Sequence, residues 1–172
     1  MPGYKTHASA AVGSAALLIA ATHTKTPFLA WFCLTNLARL VAGLLGGLFP
    51  DIDIKSKGQQ ILYALVIPLL VAALLAKHIV FSILLSALAI ISPLLPHRGI
   101  THNFWFILGG PLAGPLLVYV YCPEYTTYAL DLYIYFVVGA ISHIALDYGP
   151  YEMLMRAWYG ARRRSITKTR RK

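Results

Sequence analysis

IVFSILLSALAIISPLL PHRGITHN FWFILGGPLAGPLLVYVY, residues Ile79 to Tyr121, sets the class of the whole chain. Two apolar runs, Ile79 to Leu95 and Phe104 to Tyr121, flank a polar turn, Pro96 to Asn103. A full span needs ~20 apolar residues; Ile79 to Leu95 is short for that, but in a six-span chain the two runs are consecutive membrane segments joined by this turn. The turn itself is too rich for a connector. It holds His97, Arg98, Thr101, His102 and Asn103 in a chain with few polar side chains elsewhere. Neutral imidazole is the commonest protein metal ligand. His97 and His102 are five positions apart and do not share a regular helix face, but a turn at Gly99 would let them converge.

Composition extends this reading to the whole chain. Of 172 residues, 58% are hydrophobic and only 12% are charged; a soluble domain carries about 25%. The expectation is one all-α unit, a polytopic membrane helical bundle with about six hydrophobic segments, some short or broken. Residues 1–155 are expected to form a membrane-embedded domain with a metal site, and residues 156–172 a basic cytoplasmic tail. The net charge of +9 lies mostly in that tail, where it suits orientation or anionic lipid better than nucleic acid. Cys33 and Cys122 have no CxxC spacing and imply neither a disulfide framework nor a thiolate metal site.

The other segments follow outward from this stretch. Ala8 to Ala21 is small and apolar, like a short signal sequence, but its Ala/Gly/Ser content also suits close helix packing, and a retained first helix is the favoured reading. Phe28 to Phe49 is long enough to span and contains Asn36 and Arg39. An arginine at that depth should face the bundle interior or water; it could pair with an aspartate or reach toward the nearer surface. Gly43, Gly46 and Gly47 are expected to loosen the end of this helix. Ile61 to Ala76 carries Pro68, a kink signal, and with Ile79 to Leu95 could form a helical hairpin or a partly re-entrant element. Gly109, Gly110, Pro111, Gly114 and Pro115 argue against a straight helix over Phe104 to Tyr121. Ala129 to Tyr148 is the last span.

Six spans place both termini on one side, and charge then gives the orientation. With the tail cytoplasmic, the inside segments hold Lys5, Lys55, Lys57, Arg98, Arg156 and the seven basic residues of the tail, twelve of the fifteen Lys and Arg, while outside turns hold only Lys25 and Lys77. The same topology collects His7, Asp51, Asp53, His97, His102, His143 and Asp147 on the cytoplasmic face. His23, His78, Glu124 and Asp131 fall on outside turns and read as solvated ends. His143 and Asp147, four apart, share a helix face. Nitrogen and oxygen donors without thiolate suit zinc, manganese, iron or magnesium, with zinc or manganese foremost. Seven candidates exceed one four-coordinate zinc, so either two metals share the site or some of the seven serve as supporting groups and a general base.

Four pieces together resemble a known family: Thr6-His7 with Gly13, Pro50-Asp51-Ile52-Asp53, His97-Arg98-Gly99-Ile100-Thr101-His102, and Gly139 to Asp147. In this order they are similar to the membrane-bound metal-dependent hydrolases whose bacterial member is regulated by LexA. The His-Arg-Gly-x-Thr-His piece is the most specific. The chain departs from that family at Ile54 and Asn103, where His and Ser are frequent, and at Tyr148-Gly149-Pro150, where Thr is frequent. The resemblance implies a hydrolase and names no substrate.

From the residues, a metal at a membrane face is placed for a membrane lipid or lipid-linked substrate, a phosphoester foremost. Asp51 or Asp53 would act as general base if free of the metal, and the planar fork of Arg98 suits phosphate oxygens. A transporter or ion pathway, or a structural metal in a noncatalytic protein, are the alternatives. A pathway would distribute polar groups through the membrane depth, frequently in repeated halves. The sequence has no internal repeat and fixes no oligomeric state.

Overall fold

The computed structural model describes residues 3–22, 33–53, 57–91, 100–151 and 153, which are helical with no strand among them. Seven α-helices follow in order: α1 (Tyr4–Thr22), α2 (Leu34–Leu48), α3 (Lys57–Leu75), α4 (Ile79–Ile91), α5 (Phe104–Gly109), α6 (Ala113–Tyr121) and α7 (Thr126–Tyr148). Short 3₁₀ turns at Phe49–Asp53, Ile100–His102 and Pro123–Tyr125 link them. The protein is an all-α membrane bundle. Among the described residues, two stretches are long and apolar enough to cross a membrane, Phe104–Tyr121 and Pro123–Tyr148.

The centre is a three-helix unit of α1, α2 and α7. The buried residues of α1 are His7, Ala11, Ala15 and Ile19, a spacing of four that makes one stripe along a helix. Small side chains on this stripe meet glycines of α2. A Cβ added at Gly43 would stand 2.7 Å from the Ala15 Cβ, and one at Gly47 would run into Ala11. On the other side, a Cβ at Gly46 would overlap the Phe136 carbonyl and one at Gly139 the Gly43 carbonyl. Gly43 and Gly47 thus form a small-xxx-small contact against Gly139, as in helices that pack by backbone approach in lipid. This corrects the expectation of a loosened helix end: α2 runs unbroken to Leu48, and its glycines bring three backbones together.

At the far end of the same pair, Arg39 Nε and Nη2 donate to the two carboxylate oxygens of Asp131 at 2.7 and 3.1 Å, and Nη1 donates to Asn36 Oδ1 at 2.9 Å. The guanidinium carbon lies 5.4 Å from the Tyr135 ring centre. Of the two roles open to Arg39, pairing with an aspartate is the one observed. Asp131 is accordingly no solvated end. It locks α7 to α2 across 92 residues of sequence.

α3 and α4 form a helical hairpin, one of the two readings open from the sequence, tied by Tyr63 Oη donating to the Ala89 carbonyl at 2.8 Å. α3 continues through Pro68 and ends in a Schellman turn. There His78 N–H donates to the Ala73 carbonyl and Lys77 N–H to that of Leu74, with Lys77 at φ 60° in the left-handed position that glycine usually takes. The Gly/Pro-rich segment breaks as anticipated into α5 and α6. Tyr133 Oη on α7 donates to the Leu108 carbonyl at 2.6 Å, so a neighbouring helix satisfies a carbonyl beside the break.

Exposed apolar side chains run along the whole bundle, with aromatics at both ends. Tyr4, Trp105 and Tyr151 stand out at one end and Tyr119, Tyr121, Tyr125 and Tyr128 at the other, while Leu17, Leu65, Ile67, Ile83, Leu116 and Ile134 are among the exposed aliphatics between them. Exposed aromatics at both ends of a bundle otherwise covered by exposed aliphatics fit a protein in a bilayer.

Candidate metal centre

Four separate pieces of chain meet at the end of the bundle where α1 and α5 begin and α2 and α7 end. The buried stripe of α1 delivers His7. The turn after α2 delivers Asp51, whose φ −90° and ψ 15° put it in the bridge region common among site residues. The 3₁₀ turn Ile100–His102 delivers His102. The last two turns of α7 deliver His143 and Asp147.

The distances are short and of one kind. His7 Nε2 lies 3.4 Å from Asp147 Oδ1. His102 Nε2 lies 3.6 Å from Asp147 Oδ2 and 3.8 Å from Asp51 Oδ1. His143 Nε2 lies 3.6 Å from Asp51 Oδ1 and 3.7 Å from Asp147 Oδ2. The His7 and His143 rings stack with centroids 3.8 Å apart, and His102 meets His143 edge-on at 5.6 Å. The side chains of His143, His102 and Asp147 are 0%, 2% and 3% exposed, whereas Asp51 is 22% exposed and marks the side from which the cluster is reached.

One backbone contact decides what His143 can do. Its Nδ1 lies 2.7 Å from the Gly47 carbonyl. A carbonyl only accepts, so Nδ1 carries the hydrogen and, in the neutral ring, Nε2 holds a lone pair. That lone pair points at two carboxylates, which also only accept when ionised. Among the described residues His143 Nε2, Asp147 Oδ1 and His7 Nδ1 are buried without a hydrogen-bond partner. Buried polar atoms are normally satisfied, and a cation between such facing acceptors would satisfy them. Two triads have the separations to hold a metal ion, His7–His143–Asp147 and Asp51–His102–His143. They share His143, which has one nitrogen to give, so the two describe a single centre. Donors ~2.0–2.2 Å from one ion lie roughly 3–3.5 Å from each other, close to the spacings here.

Of the seven candidate ligands, five converge: His7, Asp51, His102, His143 and Asp147. His97 and Arg98 lie outside the described residues, as does the side chain of Asp53. Three further contributors had no role assigned from the sequence. The Gly47 carbonyl orients His143, a role no side chain announces. Thr101, 1% exposed, places its Oγ1 3.3 Å from His102 Nδ1. Tyr148 sets its ring edge-on to His102 at 6.4 Å. Asn103 gains a meaning too: its Oδ1 accepts from Trp105 N–H at 2.9 Å and caps α5, work that serine also does at a helix start.

A model of the YdjM inner membrane protein family matches residues 1–151. The chain belongs to this family. No curated protein and no solved structure matches it. Membership in the YdjM family establishes the membrane class that the resemblance implied, and the matched stretch contains all five clustered residues.

Proposed function

We propose that the protein is a divalent-metal-dependent hydrolase working at the cytoplasmic membrane face on a phosphoester of a lipid or lipid-linked molecule. The observation that carries the reading is the facing of the His143 lone pair and two carboxylates in a buried cluster. Protonation of the imidazoles answers that facing less well, because charged rings stacked at 3.8 Å repel. A single ion between five donors avoids that repulsion. When bound, a divalent metal supplies Lewis acidity to a phosphoryl oxygen and acidity to water. Asp51, the least buried of the five, is the member best placed to meet substrate and to take a proton. His7, His102, His143 and Asp147 form the buried holding set, and Arg98, directly beside His97, is assigned to the phosphate.

The ion-pathway alternative is disfavoured by what fills the bundle. Between the cluster and the Arg39–Asp131 pair lie Ala11, Ala15, Gly43, Gly46, Gly139 and Ala140, small residues in close contact, which offer no polar file.

Activity is tested by presenting detergent-solubilised protein with phospholipids, lipid pyrophosphates and aryl phosphate esters, with and without chelator. The expected result is chelator-sensitive turnover of one class. Arg98→Lys should lower it by about 10²-fold, as loss of a positioning clamp does, at unchanged metal content. Chelator-insensitive turnover, or none from metal-loaded protein, contradicts the reading. Orientation is tested by periplasmic reporter fusions: active after Thr126, silent after Ser56 and Arg163. Activity after Ser56 would put Asp51 opposite the tail and remove the cytoplasmic assignment.

A further inference from the structure

An apolar groove of about 890 Å³ lies between α2, α6, α7 and the α3–α4 turn. It is separate from the His/Asp cluster. Its floor is Leu45 and Phe136, and Phe136 meets Phe49 edge-on at 5.3 Å, so an aromatic wall stands between groove and cluster. From that floor it rises along α7 to Ala129, ~10 Å at 1.5 Å per residue, and ends at Lys77, His78, Tyr121 and Cys122. This is the end of the bundle that carries the exposed Tyr119, Tyr121, Tyr125 and Tyr128, hence a membrane–water interface.

Charge at the mouth identifies the occupant. Lys77 is the one charged residue among the described lining residues, and no Asp or Glu accompanies it. Lys77 is exposed and sits on the Schellman turn at the end of α3, at the mouth of the apolar slot. The slot's ~10 Å rise along α7 covers part of the roughly 15 Å that one leaflet provides for acyl chains, room for the upper portion of one chain.

We propose that this groove is a binding site for one phospholipid of the leaflet opposite the His/Asp cluster, with its phosphate on Lys77 and His78 and an acyl chain laid against α6 and α7 down to Phe136. The site would fill the cleft between the hairpin and the three-helix centre and so fix the hairpin that packs beside Asp51, where Gln59 Nε2 donates to the Ile52 carbonyl at 2.9 Å.

The test is photo-crosslinking of the full-length protein in nanodiscs doped with phosphatidylglycerol carrying a mid-chain diazirine, followed by peptide mapping. Diacylglycerol with the same chain serves as the comparison, and Ile83 on the exposed face of α4 reports bulk lipid. Labelling at Val118, Leu132 and Phe136 is expected to exceed that at Ile83 several-fold for the phospholipid and not for diacylglycerol. Lys77→Gly, which relieves the backbone, should lower groove labelling about five-fold, and Lys77→Arg should keep it. Gly114→Leu should abolish it without loss of fold, since a Cβ at Gly114 meets nothing within 4 Å and leucine favours a helix more than glycine does. Equal labelling in wild type and Lys77→Gly, or equal labelling by the two lipids, overturns the proposal in favour of bulk lipid. Absent labelling with a dimer that Gly114→Leu disperses overturns it in favour of a second copy of the chain. None of these readouts requires hydrolysis.

Discussion

Gly139→Leu is expected to yield little or no monodisperse protein. The Cβ alone would overlap the Gly43 carbonyl and stand 3.0 Å from the Gly47 backbone nitrogen. Ordinary overpacking costs ~1–3 kcal/mol because side chains can shift; here the obstacle is the backbone of another helix, so α2 and α7 must separate. That separation would break two things at once, the Gly47–His143 hydrogen bond at one end and the Arg39–Asp131 pair at the other. Gly13 supplies the control on α1. A Cβ there meets nothing within 4 Å, so Gly13→Ala should be neutral or stabilising by up to ~1 kcal/mol, the helix-propensity gain. Size-exclusion profiles and melting temperatures in detergent separate the two outcomes. Equal behaviour of Gly139→Leu and Gly13→Ala would mean that the α2–α7 backbone contact does not hold the bundle together.

His143→Ala is expected to abolish the response of the protein to divalent metal. His143 is the member shared by both triads, and removing a ligand or its support typically costs 10–100-fold in affinity. A ligand present at 100 times its dissociation constant stabilises the folded state by ~2.7 kcal/mol. Zinc or manganese added to stripped wild-type protein should therefore raise its melting temperature clearly, and the same addition to His143→Ala should not. Asp147→Asn should behave like His143→Ala, because an amide keeps the shape and loses the charge at a side chain only 3% exposed. An unchanged metal response in both variants would remove them from the ligand set.

What the sequence could and could not announce follows from the kind of interaction involved. The helical class was legible because hydrophobic runs and their charged flanks are local properties. The meeting of His7, Asp51, His102, His143 and Asp147 was legible because each sits at a segment end, and counting segments places those ends on one face. The role of the glycines was not. A lone Gly43 or Gly47 reads as flexibility, and it becomes a close contact only when Ala11, Ala15 and Gly139 arrive opposite it from other helices. Arg39 and Asp131 are 92 residues apart, and nothing local pairs them, so Asp131 read as a solvated end until the fold supplied its partner. The Gly47 carbonyl was hidden for a different reason: every residue has one, and only the three-dimensional path of α2 aims this one at His143.

The most direct test is elemental analysis of the purified wild-type protein joined to X-ray absorption at the edge of whatever metal is found. The five-donor centre predicts about one divalent transition metal per chain, with a first shell of nitrogen and oxygen only, three imidazoles among its scatterers, and loss of the signal in His143→Ala. Metal-free protein that also fails to bind added zinc or manganese, or a shell containing sulfur from Cys33 or Cys122, would contradict it.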